Sequence, residues 1–287
     1  MFFLTRNAGS SGVARVADEH AMTPSHPYQD APLLVLTGAG RSGTTALHQA
    51  LGAHPGLDAS GYVQNIVHDV LTTALVNRSA PTRRPTMRVS DDEYDALFRR
   101  LILDLVFPAT QPAPNASVPM LFTNLTRDTA DYLGRLFEQA RVVVLIRNGV
   151  DVVRSRLAHT SLGVHGFESH CRAWAMSAEV CEWAQSEKQA LLVRYEDLRR
   201  DGASLLNRIE NHAGLPHHDA PLRQLGARTY HPTPANSGHE WERWAPAQRK
   251  VFEEHCALGM NRLGYTIPWR QAEARGAVAP ASAACSP

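Results

Sequence analysis

The sequence predicts a three-layer α/β fold with a central, mainly parallel sheet flanked by helices. Four short apolar runs, typical of strands buried on both faces, alternate with helical segments along the chain. A glycine-rich stretch, GAGRSGTT, follows the first run and leads into a helical pattern. Because such folds bind ligands at the carboxyl ends of their strands, we expect the functional site at that edge of the sheet. The runs are LLVLT (33–37), MLFTN (120–124), VVVLI (142–146) and ALLVR (190–194).

The length and composition predict one domain with a substantial core, since the chain has 287 residues, of which 44% are hydrophobic and 20% charged. We assign residues 32–269 to this domain and residues 1–31, which lack periodicity, to a mobile N-terminal tail. Residues 270–287 are rich in alanine and proline and predict a disordered tail. Inside the domain, SDDEYDALFRRLILDLVF predicts a helix that begins with a capping box of Ser90 and Glu93.

Charge, hydropathy and cysteine content argue against several classes of protein. The formal net charge of +1 disfavours a protein that binds nucleic acid through bulk electrostatics. No stretch reaches the roughly 18 apolar residues of a membrane helix, and the apolar start is too short for a secretory signal. We therefore expect a cytoplasmic protein without a membrane partner. Four cysteines without a CxxC pair favour free thiols, and no histidine cluster has a zinc-binding spacing, so we expect no metal.

The glycine-rich stretch has the residue types of a phosphate-binding loop. Glycines after a strand let the backbone turn tightly and point N–H groups at an anion, and the following helix adds positive potential. The pattern G-x-x-x-x-G-T-T is close to Walker A, but Thr44 occupies the position of its lysine, and Arg41 supplies a cation instead. We therefore predict a P-loop-like phosphate site formed by Gly40, Arg41, Ser42, Gly43, Thr44 and Thr45.

A second phosphate site is predicted where the run VVVLI ends. Nucleotide hydrolases place a magnesium-binding aspartate after such a strand, whereas this chain has Arg147. Ser155 follows eight residues later on the next helix, within RNGVDVVRS. A guanidinium at the strand end and a hydroxyl on the helix can converge on one phosphate.

Together, GAGRSGTT and RNGVDVVRS resemble the two nucleotide signatures of sulfotransferases that use 3′-phosphoadenosine 5′-phosphosulfate (PAPS). Further landmarks occur in family order, namely AHPGL, FEQARVVVLIRNG, LLVRYEDL and MNRLGY, so the resemblance covers roughly residues 33–267. The chain is more similar to bacterial and carbohydrate or tyrosine-type members than to the cytosolic aryl type, whose first loop usually carries lysine at the position of Arg41. The resemblance implies that the first loop holds the 5′-phosphosulfate and the second the 3′-phosphate.

The resemblance also implies a reaction, the transfer of a sulfuryl group from PAPS to a hydroxyl of a small molecule, sugar or natural product. Arg41 would then stabilise the charge that develops at the 5′-phosphate. By resemblance, Tyr195 of RYEDL lies against the adenine, and Ser237 falls where the family often closes over the nucleotide. An arginine-rich chain with two lysines, Lys188 and Lys250, favours a bacterial source, for which a secondary-metabolite acceptor is our hypothesis.

The sequence departs from the family pattern at the positions where relatives carry the base that takes the acceptor's proton. Many relatives place a glutamate shortly after the HP dipeptide, where this chain has Tyr62, or a lysine on a later strand, where it has Asn124. Histidine suits the task because it can change charge near neutral pH. We take His68 as the first candidate for the catalytic base, since its spacing from Gly61 returns it to the same helix face. Other candidates are Asp69, Tyr62, His165 and His170.

Two other functions are compatible with the sequence. One is a P-loop kinase that uses ATP and magnesium, although the chain lacks the Walker lysine and the aspartate that such an enzyme needs. The other is a nucleotide-binding relative that has lost its catalytic base and therefore binds the nucleotide without turnover.

Overall fold

The computed structural model describes residues 26–62, 65–80, 89–108, 116–159, 161–227 and 241–271. In this part of the chain, five parallel strands form one sheet in the order β2-β3-β1-β4-β5. The strands are Leu34–Gly38 (β1), Leu57–Tyr62 (β2), Val118–Phe122 (β3), Arg141–Ile146 (β4) and Ala190–Arg194 (β5).

The described helices are Thr44–Leu51 (α1), Ile66–Ser79 (α2), Asp91–Val106 (α3), Arg127–Leu136 (α4), Gly149–Leu157 (α5), Phe167–Ser186 (α6), Tyr195–Arg200 (α7), Gly202–His212 (α8), Ala220–Ala227 (α9) and Pro246–Arg262 (α10). They cover both faces of the sheet. Leu34 and Leu36 of β1 pack on α1, α7 and α8, whereas Val35 between them belongs to the core formed with α2 to α6 and α10.

This arrangement confirms the predicted three-layer α/β fold. The four apolar runs form β1, β3, β4 and β5. In the three central strands, β1, β3 and β4, almost all side chains are buried. Strands covered by helices on both faces need apolar residues at every position, which is why continuous runs identified them.

Strand β2, LDASGY, is not predicted from the sequence because it is a short edge strand with polar residues. Asp58 is nevertheless buried, and its carboxylate accepts hydrogen bonds from the Tyr28 hydroxyl at 2.9 Å and from the Ser60 hydroxyl at 2.6 Å. At Gly61 a Cβ would lie 2.5 Å from the carbonyl oxygen of Met120 on β3, so only glycine allows the two strands to approach this closely.

Residues 26–31, assigned from the sequence to the N-terminal tail, pack against the core. The His26 ring lies 2.6 Å from the carbonyl oxygen of Phe107 as a hydrogen-bond donor, and the buried Tyr28 ring meets Phe107 edge-on at 5.5 Å. The packed part of the chain therefore begins before residue 32. Residues 1–25 and 272–287 lie outside the described residues.

Helix α3 begins with the predicted capping box. The Ser90 hydroxyl accepts a hydrogen bond from the Glu93 amide at 3.2 Å, and the Glu93 carboxylate accepts one from the Ser90 amide at 2.7 Å. Each bond satisfies a backbone or side-chain group that the helix itself leaves unpaired.

The tryptophans and described cysteines of α6 and α10 contribute to packing. Trp174 and Trp183 are almost fully buried and serve as packing residues. Cys171, Cys181 and Cys256 are buried free thiols. None of the described helices is both long and apolar enough to cross a membrane.

His48 of α1 is a buried histidine in an aromatic environment. Its ring packs edge-on against Tyr62 at 4.9 Å and lies 5.9 Å from the Phe122 ring. Its Nε2 atom is buried without a hydrogen-bond partner among the described residues. Burial lowers the pKa of His48 to about 4, so the ring is neutral in the folded protein near pH 7.

We expect His48 to make the fold sensitive to acid. An unfolded histidine has a pKa of about 6.5, so between that value and about 4 the unfolded chain binds a proton that the folded chain excludes. Stability is therefore lost as the pH falls through this window, by about 1–2 kcal/mol at pH 5. Urea unfolding at pH 7 and pH 5 should show a smaller loss in His48→Leu than in the wild type. Equal losses in the two proteins would contradict this assignment.

Candidate functional site

The glycine-rich loop connects the carboxyl end of β1 to the N-terminus of α1 and depends on unusual backbone angles. Gly38 has φ 153°, and a Cβ there would lie 2.2 Å from the carbonyl oxygen of Leu145 on β4. Arg41 and Gly43 have φ 78° and 93°, in the left-handed region that side chains disfavour. No side chain caps α1, so its first amides remain available to an anion.

Ser42 shows that the loop has an unsatisfied polar group at its centre. The residue is fully buried, and its hydroxyl has no hydrogen-bond partner among the described residues. More than 90% of buried polar groups in proteins are paired, so this hydroxyl is a group that a bound ligand can satisfy.

The two predicted phosphate motifs lie next to each other. The Arg41 Nε donates a hydrogen bond to the Ser155 hydroxyl at 3.1 Å, across 114 residues of sequence. The Arg147 guanidinium donates to the backbone oxygen of Arg41 at 3.4 Å. Arg147 and Ser155 thus both contact Arg41, which joins the second motif to the first.

Arg147 is held between the loop and the end of β5. Its guanidinium lies over the Tyr195 ring, 4.5 Å from the ring centre, and its backbone oxygen accepts a hydrogen bond from the Trp174 indole at 3.0 Å. A Cβ at Gly43 would lie 2.7 Å from the Tyr195 ring, so the ring occupies the space that glycine leaves. The Arg147 Nε is buried without a hydrogen-bond partner in the described part of the chain.

The YEDL landmark fixes the start of α5, two residues after Arg147, which directly follows β4. The Glu196 carboxylate accepts hydrogen bonds from the Asn148 amide at 3.1 Å and from the Tyr265 hydroxyl at 2.9 Å. The Asn148 side chain in turn caps α5 by accepting from the Val150 amide at 2.9 Å. Tyr265 belongs to the MNRLGY landmark, so two distant motifs of the sequence jointly hold this strand end.

Arginine side chains concentrate positive charge around the loop. Burial, and then the charge of Arg147, lower the pKa of Arg41, and burial, and then the charge of Arg41, lower the pKa of Arg156. The nearby carboxylate of Asp151 lies 3.8 Å from the Arg147 guanidinium and 3.2 Å from that of Arg154. Guanidiniums clustered in this way create a field that attracts an anion.

A cavity of about 260 Å³ lies beside the loop at the carboxyl ends of β1 and β3. Its wall combines backbone of the loop with side chains from the loop after β3 and from α2, α5 and α6. The polar groups that it exposes come from Asn65, His68, Asn124 and Arg156, among others. A larger cavity, of about 700 Å³, lies between α2 and α4 and contains none of the predicted site residues.

Of the five candidate bases, His68 lines the cavity beside the loop. Its Nδ1 is buried without a hydrogen-bond partner among the described residues. Asn124, in the position where relatives carry lysine, lines the same cavity and donates a hydrogen bond to the Asn65 side chain at 2.8 Å. The cavity thus brings together a histidine and an amide pair close to Gly38 and Gly40.

The other candidate bases lie elsewhere. Tyr62 packs over α1, with its hydroxyl 3.2 Å from the Thr45 hydroxyl, and Asp69 and His165 are exposed outside the cavity. His170 is fully buried and accepts a hydrogen bond from the Arg156 Nε at 3.1 Å. Ser237 lies outside the described residues.

Two features of the site are missing from the sequence-based prediction. Arg156 and Asn65 both line the cavity, yet neither belongs to a recognisable motif.

Within the described residues, no group of three or more histidine, cysteine, aspartate or glutamate side chains is placed to hold a metal ion.

Solved structures similar to this chain are sulfotransferase domains. The sulfotransferase domain of the olefin synthase of Synechococcus PCC 7002 superposes with a TM-score of 0.53 and 17% identity, covering 85% of this chain and 99% of that one. The sulfotransferase domain of the curacin biosynthetic pathway gives 0.54 and 13%, covering 83% and 99%. At these identities, the likeness supports the fold.

Sequence relatives point to the same family. Protein-tyrosine sulfotransferase 1 of Homo sapiens is 27% identical over 145 residues, which are 49% of this chain and 38% of the human protein. Protein-tyrosine sulfotransferase 2 of Gallus gallus is 26% identical over 268 residues, covering 83% of this chain and 70% of that protein. The chain thus spans less than half the length of the human relative. A sequence model described as "Sulfotransferase family" matches residues 32–219, more than half of the chain, and the protein therefore belongs to the sulfotransferase family.

Proposed function

We propose that the protein transfers a sulfuryl group from PAPS to a hydroxyl of a small molecule, sugar or natural product, and releases adenosine 3′,5′-bisphosphate (PAP). The observation that carries this proposal is the junction of two phosphate-binding motifs at Arg41, which bonds to Ser155 and receives a bond from Arg147. Two adjacent anion sites fit a nucleotide with phosphates at both the 5′ and 3′ positions.

The residues present fit this nucleotide. In our proposal the first amides of α1, the side chain of Arg41 and the buried hydroxyl of Ser42 hold the 5′-phosphosulfate. Arg147 and Ser155 hold the 3′-phosphate, and the unpartnered Nε of Arg147 is free for that contact within the described residues. Following the family resemblance, we place the adenine near Tyr195.

Bound PAPS supplies an SO₃ group whose sulfur bonds to the acceptor oxygen as its bond to the 5′-phosphate oxygen breaks, leaving the electron pair on PAP and releasing the hydroxyl proton. Arg41 and the α1 amides stabilise the negative charge that develops at the bridging oxygen. His68 takes the acceptor's proton, because it is the candidate base in the cavity where an acceptor can reach the loop. Asn65 and Asn124 orient the acceptor through their amides.

The kinase alternative is less well supported by the site. Thr44 begins α1 where a Walker lysine would stand, and β4 leads into Arg147 rather than a magnesium-binding aspartate. We further propose a bacterial protein of secondary metabolism, because the chain is rich in arginine and poor in lysine. We also propose that it is cytoplasmic, because its sequence has neither a long apolar stretch nor a secretory signal pattern.

Calorimetric titration tests the donor site. PAP should bind the metal-free wild-type protein more tightly than ATP, and Arg41→Ala and Arg147→Ala should each weaken PAP binding by about tenfold to a hundredfold, as expected for a lost hydrogen bond to a charged group. Arg172→Ala, which removes an exposed arginine of α6, is the control and should bind PAP as the wild type does. Tighter binding of ATP, or an unchanged affinity in Arg147→Ala, would favour the kinase function instead.

Initial rates of PAP formation test the base. With a panel of phenols, sugars and hydroxy acids as acceptors, His68→Asn should lower kcat by about 10²- to 10⁴-fold, the usual contribution of general base catalysis. Its affinity for PAP should be unchanged, because His68 lies on the acceptor side. Tyr62→Phe is the matched comparison and should keep most of the rate. The reverse pattern would assign the base to Tyr62, and wild-type PAP binding without any turnover would favour the non-catalytic relative.

A further inference from the structure

Arg156 is a cation of the site that belongs to neither phosphate motif. It follows Ser155 on α5, and its guanidinium extends over the glycine-rich loop, where an Nη atom lies 3.0 Å from the position of a Cβ at Gly40. The same side chain lines the cavity that contains His68 and Asn124. Its charge therefore acts on whatever molecule enters between the loop and α2.

A hydrogen bond to α6 fixes the orientation of the Arg156 side chain. Its Nε donates to the Nδ1 of His170, which is fully buried on α6. Burial, and then the charge of Arg156, lower the pKa of His170, which keeps the ring neutral and able to accept this bond. With the Nε bonded to His170, the guanidinium keeps its Nη groups for a ligand.

Among the described residues, no acidic side chain balances Arg156. In the described ranges no carboxylate lies within ion-pair distance of it, and the described wall of the cavity contains no aspartate or glutamate. Its ionisable members are His68 and Arg156. A partly buried guanidinium without a counter-ion favours an anionic ligand over a neutral one.

We propose that Arg156 binds an anionic group of the acceptor, so that the substrate is a small alcohol or phenol that carries a carboxylate, phosphate or sulfate near its hydroxyl. This inference rests on the proposed sulfuryl transfer and specifies its acceptor. The donor phosphates have Arg41, Arg147 and the α1 amides, whereas Arg156 shares its cavity with the candidate base. A volume of about 260 Å³ is at the small end of ligand sites, which suits a compact molecule. His170 is the positioning residue for Arg156.

Calorimetry with matched probes tests this proposal independently of turnover. The probes are 4-hydroxyphenylacetate and 3-hydroxybutyrate, each paired with its neutral amide and titrated into the PAP-loaded protein. The wild type should bind the acid about tenfold to a hundredfold more tightly than the amide in at least one pair. Arg156→Gln should lose that preference. Arg156→Lys, which keeps the charge but loses the paired N–H donors of the guanidinium, should keep part of it. The affinity of PAP itself should stay within about twofold in both variants.

Different results separate the two levels of the proposal. If Arg156→Gln weakens PAP binding more than tenfold while an acid preference persists, Arg156 belongs to the donor site and the inference is overturned. If the wild type binds PAP but shows no acid preference, or binds neither member of any pair, the inference is again overturned, while the proposed donor site stands. Failure of the wild type to bind PAP would instead refute the proposed function.

Discussion

The close approach of β1 to β4 at Gly38 determines where the functional groups lie. Gly38 pairs with Leu145, and the carbonyl oxygen of Leu145 occupies the space where any other residue would have its Cβ. The chains that leave these two strands therefore start side by side. One becomes the glycine-rich loop with Arg41, and the other reaches Arg147 and α5 within a few residues. A larger residue at 38 would separate the strand ends and the two motifs with them.

The joined motifs place positive charge where the fold provides little to neutralise it. Burial, and then the charge of a neighbouring arginine, lower the pKa of Arg41 and of Arg156. Arg147 donates a hydrogen bond to the backbone oxygen of Arg41 and lies 3.8 Å from the carboxylate of Asp151. Bringing such groups together destabilises the folded protein, and the binding of an anionic ligand offsets that cost in free energy. The buried hydroxyl of Ser42 and the open N-terminus of α1 supply hydrogen-bond donors at the same place.

The parts of the fold and site that the sequence predicts are those with a local signal. Continuous apolar runs identified the strands buried on both faces, the Ser90 and Glu93 pair identified the start of α3, and the glycines identified the loop. Strand β2 has no such signal, because its Asp58 is stabilised by Tyr28 and Ser60, and the Tyr28 contact joins positions 30 residues apart.

Long-range contacts account for the rest of what the sequence did not reveal. Arg41 and Ser155 are 114 residues apart, and nothing in either motif states that they touch. Arg156 is one arginine in an arginine-rich chain, and only the packing of α5 against α6 turns it toward the cavity. His170 was a candidate base, yet the fold buries it behind Arg156, where it accepts a hydrogen bond instead.

The most direct test of the central claim is a crystal structure of the protein with PAP. We expect the 5′-phosphate at the first amides of α1 and the side chain of Arg41, and the 3′-phosphate at Arg147 and Ser155. PAP bound away from the glycine-rich loop, or with its 3′-phosphate far from Arg147, would contradict the claim that these two motifs form one nucleotide site.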